Sequence, residues 1–166
     1  MAFLCFFASH IPITLCIDGQ GAFSQLYPLE LRNLVAWYTN LFGDVLMKPP
    51  YDSWFSSLIF MEIFLQLPFF FVAIWIIFNF NKNEKGEQIQ HYPGWFQKAC
   101  LIYGSHVSTT LIPILGTFIS SSEMTLNQKY ITIGVYLPYL IFPLLLMYYA
   151  LVNDDNWSKS KEPKSH

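Results

Sequence analysis

Four stretches of the chain, residues 2–17, 54–78, 99–119 and 130–152, are apolar almost without interruption. None shows the polar face that a helix at a water boundary requires, nor the alternation of a half-buried strand. Their solvent is therefore lipid. A spanning helix needs about 20 apolar residues, and the last three stretches have them. The first would reach only about 24 Å at 1.5 Å per residue, against a hydrocarbon core of about 30 Å. It lacks a basic leading segment and a small-residue cleavage site, and His10 and Pro12 interrupt it. It therefore reads as a retained helix ending at Asp18 rather than a signal peptide.

The loop after the first stretch carries a helical pattern of its own. Pro28 suits a first helical turn, and Leu31, Leu34, Val35 and Tyr38 fall on one face. This predicts a short helix lying against the bundle, and Pro49-Pro50 closes the loop. The expected fold is all-α: a four-transmembrane-helix bundle over residues 1–152 with a short luminal helix, followed by a polar tail over 153–166 that cannot bury a core.

Composition sharpens this picture. Of 166 residues, 54% are hydrophobic and 12% charged, against roughly a quarter charged in soluble domains. Of the 9 basic and 11 acidic side chains, only Glu62 lies inside the four stretches. A net charge of −2 excludes a basic nucleic-acid binder. Lys82, Lys85 and Lys98 on the middle loop and Lys159, Lys161 and Lys164 on the tail outnumber Arg32, Lys48 and Lys129 on the other side. The basic side faces the cytoplasm, so both termini are expected there. Trp54, Trp95, Tyr130, Tyr148, Tyr149 and Trp157 stand near span ends, where such rings anchor at the interface. Cys5, Cys16 and Cys100 lie in or beside apolar stretches and read as small apolar side chains rather than a disulfide framework.

The candidate chemistry is what remains polar inside the spans. Glu62 is costly in lipid unless it faces protein or water, and Gln66 follows one helical turn later. The pair either stabilises the bundle by hydrogen bonding or lines a ligand pocket. His10, Thr14 and Asp18 form a second polar row at i, i+4 and i+8, and Tyr103, His106 and Thr110 a third. His10 by itself reads as a satisfied core histidine, with no second ligand at metal-binding spacing. Pro12, Pro68, Pro113, Pro138 and Pro143 put a proline inside every span, each removing a backbone donor. Four kinked helices favour a cavity over a tight bundle, lined by Phe64, Phe69, Tyr103, Tyr136 and Tyr139. Such a site suits a rigid apolar molecule with one polar or cationic end. Entry would come from lipid, between Phe69–Phe70 beside Pro68 and Leu140–Ile141 beside Pro143.

Five motifs carry a resemblance. Ser9-His-Ile-Pro-Ile-Thr-Leu-x-x-Asp18, Leu26-Tyr-Pro-x-Glu-x-Arg-Asn-Leu34, Glu62-x-x-x-Gln66-Leu-Pro-Phe-Phe70, Thr109-Thr-Leu-Ile-Pro-Ile-Leu115 and Tyr136-x-Pro-Tyr139 occur in this order along nearly the whole chain. They resemble the EXPERA family of four-helix endoplasmic-reticulum proteins, which has a receptor branch and includes a sterol isomerase. The resemblance implies that Asp18 pairs with a ligand's protonated amine and that Glu62 is its buried, protonated partner. It ties Gln66 and Phe64 to cholesterol, makes Thr110 and Tyr139 pocket-lining, and gives Asp44 the holding of the luminal loop. It further implies sterol and oxysterol binding, homodimers, and a link to the Niemann-Pick type C1 cholesterol transporter. No cofactor is implied. The tail Lys161-Glu-Pro-Lys164-Ser-His166 departs from a clear dilysine retention signal.

Two functions follow from these residues. One is a non-enzymatic binder of sterols and lipophilic amines, close to the receptor branch. The other is a sterol Δ8–Δ7 isomerase, with Asp18, Glu62 and His106 supplying an acid and a base.

Overall fold

The computed structural model describes residues 1–80, 91–153 and 157, and among these four helices are long and apolar enough to cross a membrane. The middle loop 81–90 and most of the tail lie outside the described residues, and with them the expectation about the polar tail. The first span is longer than its apolar run. Helix α1 (Ala2–Ile13) continues through a π turn at Thr14–Asp18, the short α2 (Gln20–Phe23) and a 3-10 turn to Leu26. The span thus takes 25 residues, Ala2–Leu26. The expected stop at Asp18 is corrected: the chain stays helical past the carboxyl, because a π turn rather than a loop accommodates it.

Helix α3 (Leu29–Phe42) is the predicted short helix, with Pro28 just before its first turn. It turns Val35 and Thr39 into the protein and ends at Gly43, whose φ of 76° is the left-handed conformation a glycine adopts without strain. The second span is α4 (Ser53–Met61), a second π turn at Glu62–Gln66, and α5 (Leu67–Phe80). The third and fourth are α6 (Gly94–Ser120) and α7 (Leu126–Val152). Thr125 caps α7: it accepts from the Gln128 amide at 3.3 Å while its own amide donates to Gln128 Oε1 at 2.9 Å. Among the described residues no strand is present, only a bridge between Tyr92 and Trp157.

Helices α6 and α7 pack along much of their length, and α1 packs on α5. A side chain at Gly104 would meet Met147 and, at 2.9 Å, the carbonyl oxygen of Pro143, so only glycine allows this closeness. Aromatic rings fill much of the core: Phe6 stacks on Phe142 at 4.6 Å, and Phe69 on Tyr103 at 4.4 Å. Trp54, Trp95, Tyr130 and Tyr148 are exposed, as interfacial rings are. Trp157 differs. It is buried against Tyr92, Phe96 and Tyr149, because those rings leave an apolar seat where α6 begins. The three cysteines are free.

Candidate functional site

The two π turns face each other, and each carries an acid. In the first, the Gly19 amide donates to the Thr14 carbonyl at 2.9 Å. In the second, the Leu67 amide donates to the Glu62 carbonyl. A proline lies two residues from each, Pro12 before the first and Pro68 after the second. With no N–H, Pro68 cannot continue the regular i→i+4 ladder, and one extra residue per turn absorbs the misfit.

This geometry gathers the polar groups. Thr14 Oγ1 donates to Glu62 Oε1 at 2.6 Å, and His10 Nε2 stands 3.7 Å from the same oxygen. The Asp18 and Glu62 carboxyls stand beside each other, with one oxygen of each and a ring nitrogen of His10 within 4.8 Å of one another. Two carboxyls this close share protons as a pair rather than titrating one by one. His10 is buried, stacked on Phe70 at 4.8 Å, and its Nδ1 has no partner.

These groups stand at one side of a cavity of about 310 Å³, within the size range of small-molecule sites. His10, Asp18, Glu62, Gln66, Thr110, Tyr136 and Tyr139 line it, and no lysine or arginine does. The remaining wall is mostly apolar, with Phe55, Ile59, Leu111 and Ile114 prominent. The Thr110 hydroxyl is engaged by the Val107 carbonyl at 2.9 Å.

Three expected wall residues are not there. Phe64 is exposed and packs on Phe60 at 4.3 Å, because two residues along the helix carry it to the side opposite Glu62. Tyr103 and Phe69 stack on each other beneath Phe7 and Phe70, outside the cavity wall. His106 also lies outside it, so the acid–base set drawn from Asp18, Glu62 and His106 is corrected: the histidine beside the acids is His10. The expected entrance fails in the same way. Phe70 is fully buried, and Leu140 and Ile141 do not border the cavity. The sequence reading missed Leu34 and Trp37 of α3 and Met47 of the loop, which close the cavity from the side. The spacing Leu34, Trp37, Tyr38 carried that signal, but only the placement of α3 against α7 gives it a cavity to line.

Asp44 lies outside the wall and holds it. Its Oδ2 accepts from Tyr38 at 3.1 Å and Tyr136 at 2.8 Å, and its Oδ1 accepts from the amides of Leu46 and Met47 at 3.0 and 3.2 Å. Burial pushes the Asp44 carboxyl above the ordinary carboxylate range, and the four donors pull against that rise. Burial first, and then Asp44 beside it, raises the Tyr38 hydroxyl, which stays a donor.

His10, Asp18 and Glu62 are also the one group among the described residues with three metal-ligating atoms close together, within 4.8 Å of one another. Ligands around one zinc stand about 3.3 Å apart, so the group would have to contract onto a metal.

The chain is similar to known proteins along most of its length. The EXPERA (EXPanded EBP superfamily) model matches residues 30–150. The chain is 37% identical to the Sigma intracellular receptor 2 of Macaca fascicularis and 36% identical to that of Homo sapiens, in each case covering 88% of this chain and 83% of the relative. It is 30% identical to the Efficient mitochondria targeting-associated protein 19 of Saccharomyces cerevisiae, covering 88% of this chain and 93% of that protein. A four-span helical membrane protein whose match to the family model runs from α3 to the end of α7, this chain belongs to the EXPERA family.

Proposed function

We propose that the protein is an intramembrane receptor for sterols, oxysterols and lipophilic cationic amines, acting in cholesterol homeostasis and trafficking. One observation carries this reading: a single acid pair stands in an otherwise mostly apolar cavity within the membrane. A ligand ammonium would take Asp18 as counter-ion, Glu62 would donate its proton to Asp18, and the aliphatic and aromatic wall would hold a rigid ring system. A neutral sterol would place its hydroxyl at the same polar group. The similarity to proteins named as receptors supports the assignment. The reading places the chain in the endoplasmic-reticulum membrane with both termini cytoplasmic, as a homodimer, with the Niemann-Pick type C1 transporter as a partner.

Isomerase chemistry needs an acid on one side of the alkene and a base on the other. Here His10, Asp18 and Glu62 stand together in one cluster on the cavity wall, which weighs against that reading. The test uses the purified full chain. It should bind a tritiated lipophilic tertiary amine saturably, and Asp18→Asn should weaken that binding more than tenfold while leaving the protein folded, since a charge-assisted hydrogen bond contributes about 1.5–3 kcal/mol. Amine binding by Asp18→Asn within a factor of two of wild type would remove Asp18 as the counter-ion. Conversion of a Δ8 sterol to its Δ7 isomer by the same preparation would favour the enzyme.

A further inference from the structure

A second cavity, of about 170 Å³, lies apart from the first. It is enclosed by the C-terminal end of α3, the loop that follows, the connection from α6 to α7 and the first turn of α7. These parts lie between spans or at their ends. All are on one side of the membrane, because they join the first span to the second and the third to the fourth. The cavity therefore stands at the depth of lipid headgroups. Its wall reverses the character of the first: Asn40, Asp44, Lys48, Glu123 and Gln128 line it, and polar groups make up most of it. No residue lines both cavities; Met47 and Lys48, neighbours in the chain, face one each.

The charges suit a guest that carries both signs. Lys48 and Glu123 are exposed and come from separate loops, and among the described residues neither forms an ion pair. One cation and one anion thus border the same space without closing on each other. Asp44 forms the back and is fixed there, its two oxygens already taking four hydrogen bonds. A side chain at Gly43 would stand 2.7 Å from Gln128 Nε2, so the glycine gives that carboxamide its place in the wall. The Thr125 amide holds Gln128 Oε1, which leaves the nitrogen to donate. Lys48 and Gln128 therefore offer donors to an anionic group, and Glu123 an acceptor to a cationic one. A guest of net negative charge is repelled by Glu123. Among the described residues no aromatic side chain lines the space, so a quaternary ammonium, which has no N–H to donate and is held by ring faces, finds no seat. A primary ammonium, with three donors, does.

Helix α7 supplies room for acyl chains below such a guest. Ile131 and Val135 follow Gln128 at i+3 and i+7, both apolar and exposed. The helix enters the membrane from this end, so that face runs from the cavity into the acyl region.

We propose that this second cavity is a headgroup site for a phosphoethanolamine lipid, with Lys48 on the phosphate and Glu123 on the ammonium. The site is independent of the receptor reading and is measured without any receptor ligand.

The experiment titrates the purified full chain in detergent micelles and reads bound lipid by native mass spectrometry. The guests are phosphatidylethanolamine, phosphatidylcholine and phosphatidylglycerol with identical acyl chains, and glycerophosphoethanolamine as the headgroup without chains. Phosphatidylethanolamine should bind about fivefold tighter than the other two lipids, the worth of one exposed ion pair. Lys48→Met and Glu123→Gln should each lower it to the phosphatidylcholine level, and Asn40→Trp, which fills the space from α3, should do the same. Lys129→Met should leave it unchanged, since that lysine lies outside the cavity and donates to the Ile119 carbonyl. Asn40, Lys48 and Glu123 are all exposed, and should one variant fail to accumulate the other two carry the test. Equal binding of phosphatidylethanolamine and phosphatidylcholine, or binding unchanged in the charge variants, overturns the site. Tighter binding of phosphatidylglycerol overturns it as well, by making the cavity an anion site. Glycerophosphoethanolamine binding as tightly as the lipid overturns the lipid assignment in favour of a soluble zwitterion.

Discussion

Glu62 has no lysine or arginine beside it in the cavity, and its oxygen Oε1 takes a hydrogen bond from Thr14 with His10 close by. What the site asks of it is a hydrogen-bonding group that keeps the Asp18 carboxylate in place. Glu62→Gln retains an acceptor for Thr14 and a donor for Asp18, whereas Glu62→Ala leaves both without a partner. Thermal unfolding of the purified variants should therefore rank wild type, then Gln within about 1 kcal/mol, then Ala lower by about 2–4 kcal/mol. If Gln proves as damaging as Ala, Glu62 acts through a proton or a charge instead. The identity of these residues was legible from the chain itself, since an acid inside an apolar run has few bland explanations. Which neighbours they would meet was less so. His10, Thr14 and Asp18 did share a face, but Phe64, two residues from Glu62, stands on the opposite side of its helix and is exposed.

At the scale of elements, the helix forecast for the first loop formed, starting close to its pattern at Leu29 but running past Tyr38 to Phe42, and Pro28 and Gly43 mark its ends. The first span was read too short because hydropathy stops at Asp18 while backbone hydrogen bonding does not. A π turn depends on tertiary partners for its carboxyl and leaves no periodic trace to read. The loop between α3 and α4 is organised by one side chain. Asp44→Ala would strip acceptors from two tyrosines and two amides together, with a cost of about 3 kcal/mol or more. The expected outcome is faster hydrogen exchange across residues 38–48, with little change in α5. Protection of that loop unchanged in Asp44→Ala would mean that packing alone holds it.

At the scale of the molecule, the all-α, four-span architecture was readable because lipid imposes so few solutions on the backbone. The cavity was readable only as an inference from five prolines, and its outline depends on how α3 lies across the bundle. Orientation rests on the lysines of the middle loop and tail. Glycosylation acceptor sites introduced on exposed Asn127, in the loop-facing first turn of α7, and on residues 83–85 should be modified at the first position and not at the second. Modification of the middle loop would invert the proposed topology.

The close approach at Gly104 divides the bundle into unequal halves. With the Pro143 carbonyl 2.9 Å from where a side chain would begin, α6 and α7 lean on each other's backbone and have little room to shear. The first and second spans are built differently, each interrupted at its acid by a turn whose hydrogen bonds skip a residue. A molecule larger than the resting cavity would thus be accommodated by yielding of the softer pair, while the stiffer pair serves as a fixed wall. Adaptability to ligands of different bulk would then reside in the same two turns that hold the charge, so that swelling the cavity and resetting the distance between Asp18 and Glu62 become one motion.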